Sequence, residues 1–148
     1  MKASRVILLL VIVLLLVPVL SIQAQEQAIG TTTTKVLVRG APIHGSNGLA
    51  INDQGHLYIA SAIGREIVAM DSQTGKILER FGPEVGVAGP DDLIFAPDGS
   101  MYWTDILSGE VGRMTPDGVV KKQLVAPFVN PITMSDDGRL FVAQAFLN

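Results

Sequence analysis

The chain has 148 residues, no cysteine, and 11 basic against 14 acidic side chains, a formal net charge of −3. The missing cysteines exclude a disulfide scaffold, a thiolate metal centre and a cysteine nucleophile. Lys2 and Arg5 precede Ala24 whereas every acidic residue follows it, so the remaining 124 residues hold 9 basic and 14 acidic groups, a net of −5, which argues against the basic stripe that a nucleic-acid binder needs.

Residues 1–24 read as a secretory signal peptide. Lys2 and Arg5 form a short basic start, residues 6–20 are a run of 15 apolar residues, and Ser21-Ile22-Gln23-Ala24 offers a small residue for cleavage. The competing reading is an uncleaved membrane anchor, but 15 residues fall short of the roughly 18 expected of a span. Cleavage is expected after Ala24, giving a secreted or periplasmic protein. It would touch a membrane only through an uncleaved signal. Residues 25–34 (QEQAIGTTTT) are polar and repetitive, a flexible leader.

The remainder, residues 35–148, repeats. Three segments beginning at Asn47, Asp91 and Asn130 overlay without a gap, each with a glycine eight residues on, at Gly55, Gly99 and Gly138. The spacings are 44 and 39 residues, and β-type units at a pitch near 40 point to propeller blades. Residues 35–39 are a candidate lone outer strand of a neighbouring blade. The first blade, 45–81, reads as strands 49–52, 56–60, 66–70 and 76–81, with a turn around Gly64. The second, 89–125, repeats that order as 93–96, 101–105, 111–115 and 119–125. The third, 128–148, stops after two strands. Turns arrive every 8 to 12 residues, as antiparallel all-β structure requires. A β-sandwich or small open sheet is the alternative, but it needs no repeat at this pitch. The expected fold is an all-β, partial β-propeller of about two and a half four-stranded antiparallel blades.

Asn47, Asp91 and Asn130 head the first strand of their units, so the repeat sets them at one height around a channel mouth. Asn and Asp oxygens converging on an axis suit a hard cation such as Ca²⁺, whereas Zn²⁺ would want His or Cys. The bland reading is that Asn and Asp are ordinary turn residues. His44 is a candidate acid or base near the mouth, His56 a surface residue of the far rim, and Asp105 a cap for the following turn. Trp103 and Tyr102 read as packing between blades. No phosphate loop, HExxH or nucleophile elbow occurs.

The stretches Gly45-Ser46-Asn47-Gly48-Leu49, Gly89-Pro90-Asp91-Asp92-Leu93 and Val129-Asn130-Pro131-Ile132 resemble the inner-strand signatures of the SMP-30/gluconolactonase/LRE-like family. The turns Ala96-Pro97-Asp98-Gly99 and Thr115-Pro116-Asp117-Gly118 and the strand Met101-Tyr102-Trp103-Thr104-Asp105 are similar to that family too. The resemblance implies a six-bladed propeller with one divalent cation at its mouth, Ca²⁺ foremost with Zn²⁺ possible, and lactone or ester hydrolysis. It makes Asn47, Asp91 and Asn130 metal ligands and Asp91, with Asp92 as a neighbouring candidate, the acceptor of a water proton. The implied substrate is a small lactone or ester. The family's glutamate ligand has no counterpart at an inner-strand start; Glu26 lies in the leader, and Pro131 stands where glycine is usual. The alternative function is a secreted, non-catalytic propeller that binds a ligand or protein at the channel mouth. At about 42 residues per unit, 124 residues hold fewer than three blades where a closed ring needs at least four. The chain is therefore expected to be a fragment or truncated product, unstable or self-associating alone.

Overall fold

The computed structural model describes residues 28–29 and 32–146. The signal peptide, its cleavage point and Glu26 lie outside the described residues. The chain divides into two compact units, Met1–Val36 and Leu37–Asn148. In the first, β1 (Ala28–Ile29) pairs antiparallel with β2 (Thr32–Thr33). No helix among the described residues is long and apolar enough to cross a membrane.

The second unit is built of three antiparallel sheets. β3 (Ser46–Ile51), β4 (His56–Ser61), β5 (Glu66–Asp71) and β6 (Ile77–Phe81) form the first, in chain order. β7 (Pro90–Phe95), β8 (Met101–Asp105), β9 (Glu110–Met114) and β10 (Val120–Leu124) form the second, again in chain order. β11 (Val129–Met134) and β12 (Leu140–Gln144) form the third. The first strand of each sheet faces its counterpart in the next, with β7 between β3 and β11. These are blades stacked side by side.

The hairpins share one local device. The amide N–H groups of Gly55, Gly99, Gly118 and Gly138 donate to the carbonyls of Asn52, Ala96, Thr115 and Ser135, at 3.0, 2.9, 2.8 and 2.8 Å. Each glycine has φ between 78 and 84°, a left-handed conformation that a Cβ penalises. Between β4 and β5 the expected turn around Gly64 forms, at residues 62–65. Gly64 does not carry the positive φ; Arg65 does, at 57°. Arg65 stands 44 residues before Gly109, which has φ 74° in the second blade. The arginine is held there by its Nε, which donates to the Ala88 carbonyl at 3.0 Å. Gly64 is needed for space, since a Cβ would lie 2.3 Å from Ser61 Oγ.

Two expectations are corrected. Residues 35–39 are not a strand. Leu37 and Val38 instead lie against the turn at Gly75, where a Cβ would come within 2.6 Å of Val38 Cγ2. The inner strands also begin three residues earlier than the apolar pattern suggested, because pairing resumes beyond a bulge. One 3-10 turn, Pro83–Val85, joins the first two blades.

The core lies between those blades. Ala60 and Ile67 meet Leu93, Met101 and Trp103, with Val87 of the connecting loop. Trp103 is fully buried, as expected for packing between blades. Its indole sits directly on Gly112, where a Cβ would be 2.1 Å from Cζ2. Tyr102 is half-buried, with the Arg113 guanidinium 5.7 Å from its ring centre.

The turn carboxylates carry a pH dependence. The Thr74 backbone N–H, with the Thr74 hydroxyl, holds Asp71 below its ordinary range. The Ser100 N–H does the same for Asp98, the Thr115 hydroxyl for Asp117 and the Ser135 hydroxyl for Asp137. A folded value below the unfolded one contributes stability above the unfolded value of about 3.9 and loses it as pH falls through the folded one. Thermal denaturation should therefore show a Tm that is level from pH 7 to about 5 and declines below about 4. Asp71→Asn should flatten that decline.

Candidate functional site

Each inner strand carries one extra residue at the same place. Ser46 pairs with Ser61 and Leu49 with Ile59; Pro90 with Asp105 and Asp92 with Thr104; Val129 with Gln144 and Ile132 with Val142. In every case the first strand gains a residue on its partner, a β-bulge that redirects side chains and recurs beside functional sites. The bulges fall at Asn47-Gly48, Asp91 and Asn130-Pro131. The three sequence candidates are thus the second residues of their strands, set within the ladder instead of heading it. The bulge also accommodates Pro131, which has no N–H for a regular ladder.

Asn47 and Asp91 meet across the two blades. Asn47 Nδ2 donates to Asp91 Oδ1 at 2.8 Å, leaving the amide oxygen of Asn47 as an acceptor. Asp91 is 4% exposed, and its second oxygen, Oδ2, is buried with no hydrogen-bond partner. Asn47 is exposed and Asn130 half-buried. Asn130 is located through its backbone: Thr104 Oγ1 donates to the Asn130 carbonyl at 2.5 Å.

Asp92 has a different task. Its Oδ2 accepts the Ile132 N–H at 3.1 Å and its Oδ1 the Leu93 N–H at 2.9 Å. Both oxygens are engaged, so Asp92 ties the second inner strand to the third. Gly48 closes the other side. A Cβ there would stand 2.5 Å from Asp92 Cα and 2.8 Å from the Asp91 carbonyl oxygen, so only glycine lets the first two inner strands come this near.

A second ring, not foreseen from sequence except in part at Asp105, fixes the loops that enter the bulges. Ser61 Oγ donates to the His44 carbonyl at 2.5 Å. Asp105 Oδ2 accepts the Ala88 and Gly89 N–H groups at 2.7 and 2.9 Å. Gln144 Nε2 donates to the Pro127 carbonyl at 2.9 Å. These three side chains share one repeat position, 44 and 39 residues apart, and each grips the loop three residues before the candidate oxygen donor. Asp105 Oδ1 also accepts the Ser108 N–H at 3.1 Å, the expected turn cap. Identity matching hides this ring, because Ser, Asp and Gln perform one job with different atoms. His44 contributes its carbonyl and is an exposed loop residue. His56, expected at the surface, is half-buried, its N–H bonded to Asn52 Oδ1.

Among the described residues no three His, Cys, Asp or Glu side chains converge as a metal cluster. The donor set here is one carboxylate with amide oxygens. Such a set suits a hard cation with oxygen preference better than zinc, and the partnerless Asp91 Oδ2 is the observation in its favour.

No family model matches the chain, and no curated protein does. Solved structures do. A gluconolactonase from Xanthomonas campestris is 28% identical with a TM-score of 0.55, over 67% of this chain and 40% of that one. Virginiamycin B lyase from Staphylococcus aureus is 19% identical, TM-score 0.52, over 70% and 42%. Hydrazine synthase from Kuenenia stuttgartiensis is 21% identical, TM-score 0.60, over 81% and 33%. The fold is a partial β-propeller. Its structural neighbours include gluconolactonase, the family that the inner-strand signatures resemble, and virginiamycin B lyase. The chain spans about two fifths of the length of the first two proteins and a third of the last. Neighbours named for such different chemistry also show that the fold alone does not choose among them.

Gly48→Ala tests the close approach of the inner strands. It should cost about 1–3 kcal/mol as an overpacked site and lower Tm in calorimetry. The Asn47–Asp91 bond should loosen with it, whereas Gly55→Ala, where a Cβ meets nothing within 4 Å, should cost only the positive-φ penalty of about 1 kcal/mol.

Proposed function

We propose that this chain is the inner-strand half-ring of a metal-dependent lactone or ester hydrolase of the gluconolactonase-like type. The observation that carries this reading is the Asp91 carboxylate, with one oxygen held by Asn47 and the other buried without a partner. A buried, unpaired carboxylate oxygen costs about 1–3 kcal/mol or more, which a divalent cation would offset. Asn47, Asp91 and Asn130 are the residues that would hold it, Ca²⁺ in preference to Zn²⁺. When bound, the cation supplies a Lewis acid that polarises a lactone carbonyl and acidifies water.

The chain's own residues have separable parts. Asn47 aims the Asp91 carboxylate by its 2.8 Å bond. Asp92 has each oxygen committed to a backbone N–H of the inner strands, whereas Asp91 keeps one oxygen without a partner. Asp91 is therefore the carboxylate we assign to accepting the water proton. Thr104 sets the Asn130 backbone. Ile63 and Leu107, equivalent residues 80% and 68% exposed, stand on the loop glycines Gly45 and Gly89, with the exposed His44 and Arg65 on the same loops. That mixed surface suits a small organic substrate. Export through the signal peptide, and the chain's being part of a longer propeller, belong to the same proposal.

A second reading has one observation behind it. Asp91 is the one carboxylate in the candidate donor set, and a single carboxylate with amide oxygens also suits a propeller that binds a ligand at its mouth without turning it over.

Calorimetric titration with Ca²⁺ and hydrolysis of a simple aliphatic lactone in a pH-stat test both. The enzyme reading expects one cation bound per chain and lactone opening that needs it, with Asp91→Ala losing both. Cation binding without hydrolysis would favour the binding propeller. Unchanged turnover and unchanged thermal response to Ca²⁺ in Asp91→Ala would remove the metal site.

A further inference from the structure

The hairpin turns close the end of the blades opposite Asp91. There, between the first two blades, two adjoining depressions of about 370 and 360 Å³ open side by side. They share the rings of Tyr58 and Phe95. Tyr58 stacks with Phe81 at 6.1 Å between centres and 16° between planes, and Phe95 meets Tyr58 edge-on at 4.8 Å and 76°. The groove thus has an aromatic wall drawn from three strands of two blades. Its rim is acidic: Asp53, Glu79 and Asp117 are exposed around it. Asp98 also borders it but is already paired with Arg113 at 2.9 Å. No basic side chain lines either depression.

We propose that this groove is a binding site for an organic cation, an ammonium or quaternary ammonium head seated against Tyr58 and Phe95 with Asp53 and Glu79 as its counter-charges. Aromatic faces carry the negative lobe of the ring quadrupole and attract such heads. Their alkyl surface is desolvated by the rings while the carboxylates neutralise the charge. The field at the wall has the right sign. The Tyr58 phenol is raised above its ordinary value by partial burial first and then by the charges of Glu79 and Asp53. The same field repels carboxylates and phosphates, so this site is closed to the acid that lactone opening would release. The groove uses none of the residues of the Asp91 site and stands whether or not that site holds a cation.

The cation has two sources, a free small molecule or a lysine side chain of another protein. NMR titration of the full chain separates them with three probes: choline, Nα-acetyl-lysine methylamide, and 3,3-dimethylbutanol, the neutral shape analogue of choline. Saturable shifts of the Tyr58 and Phe95 ring resonances with choline identify a free organic cation. The same shifts with the lysine amide alone identify a side chain. In either case the neutral analogue should bind at least tenfold more weakly. The Asp53→Asn/Glu79→Gln variant should weaken the cation by about tenfold with Tm unchanged, since both residues are exposed. Equal binding of the neutral analogue, unchanged binding in that variant, or no saturable shift with either cation would overturn the proposal.

Discussion

One extra residue in each inner strand governs the rest of this structure. Asn47, Asp91 and Asn130 are the second residues of three separate inner strands, and a bulge shifts the face that each residue beyond it presents. The bulge at the same step of each blade gives them the same backbone setting. Once the bulges are in place, the polar contacts between blades follow. Asn47 reaches the Asp91 carboxylate, Thr104 reaches the Asn130 carbonyl, and the Asp92 carboxylate reaches the Ile132 N–H. Strand pairing within a sheet cannot hold one blade to the next. These three bonds and the apolar layer around Trp103 do that.

The bonds differ in what they leave over. Asp92 and Asp105 accept backbone N–H groups on both of their oxygens, so their charges serve the loops and strands that they hold. Asp91 keeps one buried oxygen unpaired. The Trp103 Nε1 and Ser108 Oγ atoms are likewise buried without a partner, but only the Asp91 oxygen belongs to a group that can carry a charge, which is why it asks for a functional reason. The two ends of the blades accordingly differ in chemistry. At the Asp91 end the exposed loops mix aliphatic Ile63 and Leu107 with His44 and Arg65. At the turn end the aromatic rings are grooved and the rim is acidic. Leu49, Ile51 and Phe146 are 61%, 61% and 75% exposed; the expectation of instability or self-association rests on the blade count.

The blade order was legible because glycine turns at equal pitch leave a strong periodic mark. The strands at 56–60 and 101–105 were placed within a residue. The inner strands were not, since a bulge interrupts alternation and hides the ladder before it. Residues 35–39 look β-prone through Val36, Leu37 and Val38, yet they form no strand, and Leu37 and Val38 lie against the turn at Gly75, which no local pattern reveals. Arg65 in a left-handed turn was invisible for the same reason: its tie to Ala88 is 23 residues away. At the candidate site the residue types were readable and their states were not. That Asp92 is spent and Asp91 is open depends on which N–H groups the next blade brings. The ring of Ser61, Asp105 and Gln144 was largely hidden, because a repeated position filled by three residue types shows no identity to align.

The central proposal is that Asp91 Oδ2 is a cation ligand. A crystal structure of the chain grown with Ca²⁺, and with Mn²⁺ for anomalous scattering, tests it directly. The account predicts one metal peak at about 2.3–2.6 Å from Asp91 Oδ2 for Ca²⁺, with the Asn47 and Asn130 side-chain oxygens in the same shell. An Asp91 Oδ2 that instead accepts a protein N–H or a lone water, with no metal peak at the inner-strand bulges, would contradict it.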